Sequence, residues 1–170
     1  MEFFSDDRVI VNPLRIRVEI INEIESSMLL YFTGRSRESA NIINDQIHSA
    51  ESGDDKSLQA MHRVRQSAVE MKEALLKAEI KDMAGILGES WRAKRDMAHS
   101  ISNPLIDVIY NRALGAGALS AKISGAGGGG FMMLFVEPTS KLDVMAALSD
   151  LEGSFYRFHF TKEGAQGWLV

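Results

Sequence analysis

The chain has no cysteine and only three prolines among its 170 residues. Without cysteine it can form neither a disulfide framework nor a thiolate nucleophile, and we expect a cytoplasmic protein. No stretch approaches the roughly 18 consecutive apolar residues of a membrane-spanning helix, so we expect no membrane partner. The net charge of −4 offers no concentrated basic surface, and nucleic-acid binding depends on one. We therefore expect small-molecule ligands.

Metal-ligand spacing is also missing. The four histidines are scattered along the chain, and no metal site is predicted from them. With 45% hydrophobic residues the chain can bury a substantial core, and no polar or repetitive stretch interrupts it. One compact unit is therefore expected.

What the chain does have is a cluster of glycines. Five of the six residues from 125 to 130 are glycine, and the apolar run Phe131–Val136 follows directly. An ordinary hairpin turn needs only one or two glycines. The excess favours a backbone that a ligand or a neighbouring loop approaches closely. A flexible hairpin connection is the alternative.

Three known phosphate-binding patterns do not fit this cluster. The dinucleotide-binding pattern requires a helix after the glycines, whereas Phe131–Val136 has the character of a strand. A Walker A loop requires Lys and then Ser or Thr after the last glycine, and this chain has Phe131 and Met132 there. A protein-kinase glycine loop would be accompanied by H-R-D and D-F-G segments, which the sequence lacks.

Hydrophobic periodicity predicts a mixture of helices and strands. We expect strands at 27–34, on both sides of the glycine loop and at 156–160. We expect helices at about 36–52, 81–99, 103–115 and 140–151, and a long helix that starts at Asp54-Asp55 and includes Leu75. In the long helix after Asp54, one apolar face is expected to comprise Leu58, Met61, Val64, Ala68, Met71 and Leu75. The order predicts an α+β fold, a ferredoxin-like antiparallel sheet with additional helices.

Several basic residues suggest an anionic ligand. Arg37 follows a predicted strand at the start of a helix, where main-chain N–H groups favour anions. Trp91, Lys94 and Arg95 share one helical face by their spacing. A core tryptophan beside solvated cations is the alternative interpretation.

The segment Lys122-Ile-Ser-Gly-Ala-Gly-Gly-Gly-Gly-Phe131 resembles the third motif of the GHMP small-molecule kinases. Residues 31–39, Trp91-x-x-Lys94-Arg95 and Ile101-Ser-Asn-Pro104 are similar, in that order, to the C-terminal half of the heptose-phosphate kinases of this superfamily. The resemblance implies phosphoryl transfer from ATP, with Mg²⁺, to a sugar phosphate. It implies a nucleotide or substrate loop of Ser124, Gly125, Ala126, Gly127, Gly128, Gly129 and Gly130, and substrate-binding roles for Arg37, Trp91, Lys94 and Arg95.

The resemblance also implies that half of the enzyme is missing. Family members carry an N-terminal domain with a nucleotide loop, a catalytic aspartate in some, and most contacts to ATP and Mg²⁺, and no such segment occurs here. We therefore expect residues 1–26 to form the seam with an N-terminal kinase domain, residues 27–170 to be the C-terminal domain, and the isolated chain to hold no catalytic residue and be inactive. A fucokinase- or galactokinase-like free-sugar kinase and a non-catalytic regulatory domain are the alternatives.

Overall fold

The computed structural model describes residues 1–35, 39–162, 164 and 167–168. Its helices are α1 (Val18–Ser26), α2 (Ser39–Glu51), α3 (Asp55–Lys77), α4 (Ile80–Arg95), α5 (Pro104–Gly115) and α6 (Lys141–Ala147). Its strands are β1 (Glu2–Phe3), β2 (Val9–Ile10), β3 (Met28–Phe32), β4 (Ala118–Ile123), β5 (Phe131–Val136) and β6 (Ser154–Tyr156). Short 3₁₀ turns occupy His99–Ile101 and Pro138–Ser140.

Four strands form an antiparallel sheet in the order β4-β5-β3-β6. The first strand of this sheet along the chain, β3, therefore lies between the last two, β5 and β6, while the β4–β5 hairpin carries the glycine loop at its tip. This order is that of a split β-α-β fold, and it confirms the predicted ferredoxin-like α+β class. Helices α2 to α5 form the long connection from β3 to β4. The small β1–β2 hairpin is separate from this sheet.

Two apolar clusters hold the helices on the sheet. The larger cluster contains Trp91, Ile109 and Leu134, each with no exposed surface, and joins α4 and α5 to the central strands. The second contains Ile24 and Phe135 and joins α1, α3 and α4 to the sheet. Burying a large apolar side chain stabilises a fold by about 1.5–3 kcal/mol. Because α4 contributes to both clusters, they hold it against the sheet with its last turn beside the glycine loop.

Two predicted helix starts are confirmed by their capping contacts. The Asp54 carboxylate accepts a 2.9 Å hydrogen bond from the Ser57 N–H at the start of α3. The Asn103 side chain accepts a 3.1 Å bond from the Ile106 N–H at the start of α5. Each bond satisfies an N–H group that has no partner inside the helix.

The buried face of α3 is displaced by one position toward the N-terminus from the predicted apolar face. Its most buried residues are Ser57, Ala60, Ser67 and Ala74, each directly before a predicted position, and Ala68 is exposed. Small side chains let α3 and α4 approach closely, so they face the partner helix while the larger residues flank the contact.

The two ends of the chain also differ from the prediction. The mixed segment before residue 26 contains helix α1, whose Ile24 is buried. Strand β6 ends at Tyr156, although alternation predicted a strand to 160. Beyond this strand the chain contacts α1: the Glu25 carboxylate accepts a 2.7 Å hydrogen bond from the Phe160 N–H and lies 3.0 Å from the His159 ring. Both contacts lower the pKa of Glu25.

Candidate functional site

The glycine loop joins β4 to β5. A 2.8 Å hydrogen bond from the Ser124 N–H to the Phe131 carbonyl closes its base, directly beyond the last paired residues of the two strands. The loop therefore begins and ends on a rigid hairpin. Because the pairing of β4 with β5 fixes both ends of the loop, it also fixes the loop at one end of the sheet.

Two of the glycines allow other segments to approach the loop closely. At Gly127, φ is +123°, and an added Cβ would lie 2.8 Å from the Ile101 carbonyl oxygen. At Gly129, an added Cβ would lie 2.7 Å from the Arg35 carbonyl oxygen. Both distances are shorter than real Cβ contacts, so these glycines are required by packing against the protein itself.

Side chains from three different segments hold the loop through its carbonyl groups. They are Lys94, which donates to Gly125, Gln46, which donates to Ala126 at 3.2 Å, and Asn103, which donates to Gly128 at 3.0 Å. Lys94 belongs to the last turn of α4, Gln46 to α2, and Asn103 is the N-cap of α5.

The loop N–H groups fall into two sets. The Gly128 N–H donates to the Ile101 carbonyl and the Gly130 N–H to the Arg35 carbonyl, each at 2.8 Å. By contrast, the N–H groups of Gly125, Ala126, Gly127 and Gly129 donate no hydrogen bond to any of the described residues. Unused main-chain N–H groups in a glycine-rich loop are donors suited to an anion. A cavity of about 230 Å³ lies over this loop and also touches Ser39 and Phe131.

A pair of lysines lies beside the loop. The Lys122 ammonium on β4 donates a 2.6 Å hydrogen bond to the Ser90 hydroxyl, one turn before Lys94 on α4. Burial and the charge of Lys94 lower the pKa of Lys122 to about 8, and burial also lowers the pKa of Lys94. In the part of the chain that the structure describes, neither ammonium forms an ion pair with a carboxylate.

The three residues predicted to act together, Trp91, Lys94 and Arg95, have different surroundings in the structure. Trp91 has no exposed surface and packs in the larger apolar cluster, so it is not placed to touch a ligand. Only Lys94 contacts the loop. Arg95 points elsewhere and forms a 2.8 Å ion pair with Asp107. Arg37 lies outside the described residues.

A larger cavity of about 340 Å³ lies between the α2–α3 turn and the end of α4, beside Arg95. Its charged groups already have protein partners. Lys56 pairs with Asp96 at 2.7 Å, and Asp54 caps α3. Among the described residues, the glycine loop has N–H groups without an acceptor and lies beside two lysines without a carboxylate partner. It is therefore the better candidate for an anion site.

The loop is predicted from the sequence, but three residues of the site are not: Gln46 and Asn103, which bind loop carbonyls, and Lys122, which lies beside Lys94. Gln46 lies 80 residues from the carbonyl it binds, and no local pattern indicates such a contact. Lys122 and Asn103 stand inside the recognised motifs, yet only the fold shows that they neighbour Lys94 and Gly128.

The described residues lack two other kinds of site. No group of three or more His, Asp or Glu side chains there is arranged to hold a metal ion. Within the same residues, no helix has the length and apolar character needed to cross a membrane.

The chain belongs to the GHMP kinases, as a C-terminal domain of that family. The family model described as "GHMP kinases C terminal" matches residues 71–151. This range contains α4, α5, the β4–β5 hairpin with its glycine loop, and α6.

Three of the similar proteins are named as kinases of sugars or sugar phosphates. The chain is 46% identical, over all 170 residues, to D-glycero-alpha-D-manno-heptose 7-phosphate kinase of Campylobacter jejuni and covers 50% of it. The crystal structure of a D-glycero-D-manno-heptose 1-phosphate kinase from Bacteroides thetaiotaomicron is 37% identical, with a TM-score of 0.70, over 99% of this chain and 44% of that one. A bifunctional fucokinase/GDP-fucose pyrophosphorylase of Arabidopsis thaliana is 26% identical over 134 residues, 79% of this chain and 13% of the relative. The chain thus spans about half the length of the heptose-phosphate kinases it matches.

Proposed function

We propose that this chain is the C-terminal half of an ATP-dependent sugar-phosphate kinase. The enzyme transfers the γ-phosphoryl group of ATP to a hydroxyl group of a heptose phosphate, in the cytoplasm. The observation that carries this proposal is the glycine loop, whose N–H groups at Ala126, Gly127 and Gly129 have no acceptor in the described part of the chain. The similarity to heptose-phosphate kinases over the whole chain supports it.

The proposed role of the loop is electrostatic. ATP supplies the γ-phosphoryl group, whose bond to the ADP oxygen breaks as a bond to the sugar hydroxyl oxygen forms, and the hydroxyl proton leaves. Such transfers depend on alignment and charge stabilisation more than on covalent chemistry. The N–H groups of Ala126, Gly127 and Gly129, which have no acceptor among the described residues, fit phosphate oxygens as hydrogen-bond donors. The described residues offer no carboxylate cluster for Mg²⁺, so we assign the metal and the base to the preceding domain.

The substrate's own phosphate needs a separate cation. Arg95 is a candidate because it is half-exposed and its pairing with Asp107 holds it in place. Arg37 is a second candidate, since the neighbouring Arg35 carbonyl binds the loop through Gly130. We assign Lys94 to supporting the loop and Trp91 to the core.

The preceding domain is the proposed partner of residues 1–26. Within this segment Phe3 is 75% exposed and Val11 60% exposed, and an exposed apolar surface is typical of an interface. The buried Ile24 of α1 belongs to the packed body, so the interface is expected before residue 18.

A chimera tests the proposal directly. The matched half of the Campylobacter jejuni relative is replaced by this chain, and ADP release is measured with D-glycero-D-manno-heptose 7-phosphate. We expect turnover by the chimera and none by this chain alone, since the chain lacks the segments that hold most of ATP. Sustained turnover by the isolated chain would refute its assignment as half of an enzyme. A folded chimera without turnover would refute the kinase assignment and favour the regulatory domain.

The free-sugar kinase remains the second candidate because fucokinases are among the relatives. The same chimera separates the two when unphosphorylated heptose and fucose are supplied. Turnover of the free sugars in preference to the heptose phosphate would favour this alternative.

A further inference from the structure

The three side chains that bind the loop carbonyls also set the direction of its N–H groups. In a trans peptide the carbonyl and the following N–H point to opposite sides, and the described chain has no cis peptide bond. Because Lys94 binds the Gly125 carbonyl, the Ala126 N–H points away from α4. By the same geometry, Gln46 directs the N–H of the next residue, Gly127, away from α2.

The third contact has the same effect further along the loop. Asn103 donates to the Gly128 carbonyl, so the Gly129 N–H points away from the start of α5. The N–H groups directed in this way, those of Ala126, Gly127 and Gly129, all belong to the set without a described acceptor. The N–H groups that pack the loop against the protein, those of Gly128 and Gly130, belong to the other set.

We propose that Lys94, Gln46 and Asn103 are positioning residues that orient the Ala126, Gly127 and Gly129 N–H groups toward a phosphate in the loop cavity. The inference rests on the proposed function, because it takes phosphate as the ligand of the loop. Donors fixed in advance need no reorganisation when charge arrives, which is the condition for strong electrostatic stabilisation.

A partly buried lysine is an unusual donor for a purely structural hydrogen bond to a carbonyl, as Lys94 forms with Gly125. Desolvation by burial acts against its charge and lowers its pKa, and the neighbouring Lys122 adds a second positive charge. A neutral donor such as that of Gln46 or Asn103 would bind a carbonyl without this cost. A phosphate in the adjacent cavity offsets the cost, since opposite charges attract strongly where water is partly excluded.

The test uses the 170-residue chain and inorganic pyrophosphate as the probe. Titration is followed by ¹⁵N NMR of the loop amides, and we expect the largest shifts at Ala126, Gly127 and Gly129. Lys94→Met, Gln46→Met and Asn103→Ser should each weaken binding about 3- to 10-fold, as loss of one hydrogen bond predicts. Lys94→Arg, which keeps the donor, should restore most of the affinity.

The variants are chosen to separate positioning from stability and from charge. Asn103→Ser keeps an N-cap acceptor for α5 and removes only the amide donor. Lys122→Met removes the neighbouring charge without touching a loop carbonyl, and it should weaken binding less than Lys94→Met. Lys72→Met, on the exposed side of α3, removes a distant charge and should change affinity less than twofold. Urea unfolding checks that each variant is folded.

The possible results test the positioning inference and the proposed function separately. If wild-type chain binds pyrophosphate and the three variants bind it equally well, the positioning inference is overturned and the proposed function stands. If Lys122→Met weakens binding as much as Lys94→Met, charge and not orientation is responsible, which also overturns the inference. If pyrophosphate shifts no loop amide of the wild-type chain, both the inference and the phosphate role of the loop fail. An inactive chimera together with variant-dependent pyrophosphate binding would count against the kinase assignment alone.

Discussion

Two neighbouring glycines of the loop differ in why they must be glycine. A Cβ at Gly127 would meet the Ile101 main chain at 2.8 Å, whereas a Cβ at Gly125 would meet nothing within 4 Å. The excess of glycine predicts that a ligand or a neighbouring loop approaches this backbone closely. At Gly127 the close neighbour is the Ile101 main chain, so a side chain there would disturb the packing of the protein itself.

Gly127→Ala should therefore be much more destabilising than Gly125→Ala. We expect a loss of about 2–4 kcal/mol of unfolding free energy at Gly127, from overpacking and positive φ together. At Gly125, only the strain of a left-handed backbone acts, about 1–2 kcal/mol. Urea unfolding of the two variants measures the difference. Equal losses would show that the loop can move away from Ile101.

The charge of Lys122 makes stability depend on pH in a defined direction. Its pKa is lowered from 10.5 to about 8 in the folded chain. Between these two values the unfolded chain binds more protons, so the unfolding free energy rises with pH. The penalty of the buried charge is complete below pH 8 and absent above pH 10.5.

Lys122→Met should consequently stabilise the chain at pH 7, and the gain should shrink as the pH rises to 10.5. Because the side chain is partly exposed, we expect about 1–2 kcal/mol, less than the full pKa change would give. The loss of the Ser90 hydrogen bond reduces the gain further. The measurement is the difference between variant and wild-type unfolding free energies from pH 7 to 10.5. A difference that stays constant would mean that the folded chain holds Lys122 with an ordinary pKa.

At the level of elements, the site depends on the close packing of α4 along β4. Gly88 faces Ser120, and an added Cβ would lie 3.2 Å from the Ser120 Cβ. Further along the same two elements, Ser90 binds Lys122 and Lys94 binds Gly125. The approach at Gly88 therefore brings the end of α4 within reach of the loop.

Gly88→Leu should push α4 away from β4. We expect a loss of about 2–4 kcal/mol of unfolding free energy, as in overpacked cores. Gly85→Leu is the matched control, since Gly85 lies on the exposed side of the same helix and the change should stabilise by about 0.5–1 kcal/mol through helix propensity. Thermal unfolding compares the two variants. A neutral result at Gly88 would show that the two elements separate easily.

Most elements could be predicted because their local and global signals agree. The caps Asp54 and Asn103 and the spacing of apolar residues mark α3 and α5 in the sequence. Strand β6 was predicted too long because alternation does not reveal that Glu25 binds the Phe160 N–H. The loop, like these helices, was predicted from a local sequence pattern. Its support Gln46 was missed, since only the packing of α2 brings it to the loop. The contact of Lys122 with Ser90 was missed, since only the packing of α4 on β4 brings these two residues together.

At the scale of the whole molecule, the adjacent residues Lys94 and Arg95 are expected to act on different groups. Lys94 holds the loop through Gly125, whereas Arg95 pairs with Asp107 in the first turn of α5. A loop support affects the transferred phosphoryl group, which is common to all acceptors. A cation that binds the acceptor's own phosphate affects only phosphorylated sugars.

In the chimera, Lys94→Met should therefore lower kcat/KM for heptose 7-phosphate and for unphosphorylated heptose by the same factor. Arg95→Ala should lower it for heptose 7-phosphate alone, by about 10- to 150-fold, as loss of a charge-assisted contact predicts. Comparing the two acceptors controls for structural damage, because misfolding would reduce both. A selective effect of Lys94→Met on the phosphorylated sugar would mean that Lys94 binds the acceptor phosphate and is not a loop support. If Arg95→Ala leaves the ratio of the two acceptors unchanged, Arg95 does not bind that phosphate, and Arg37 becomes the candidate to replace next.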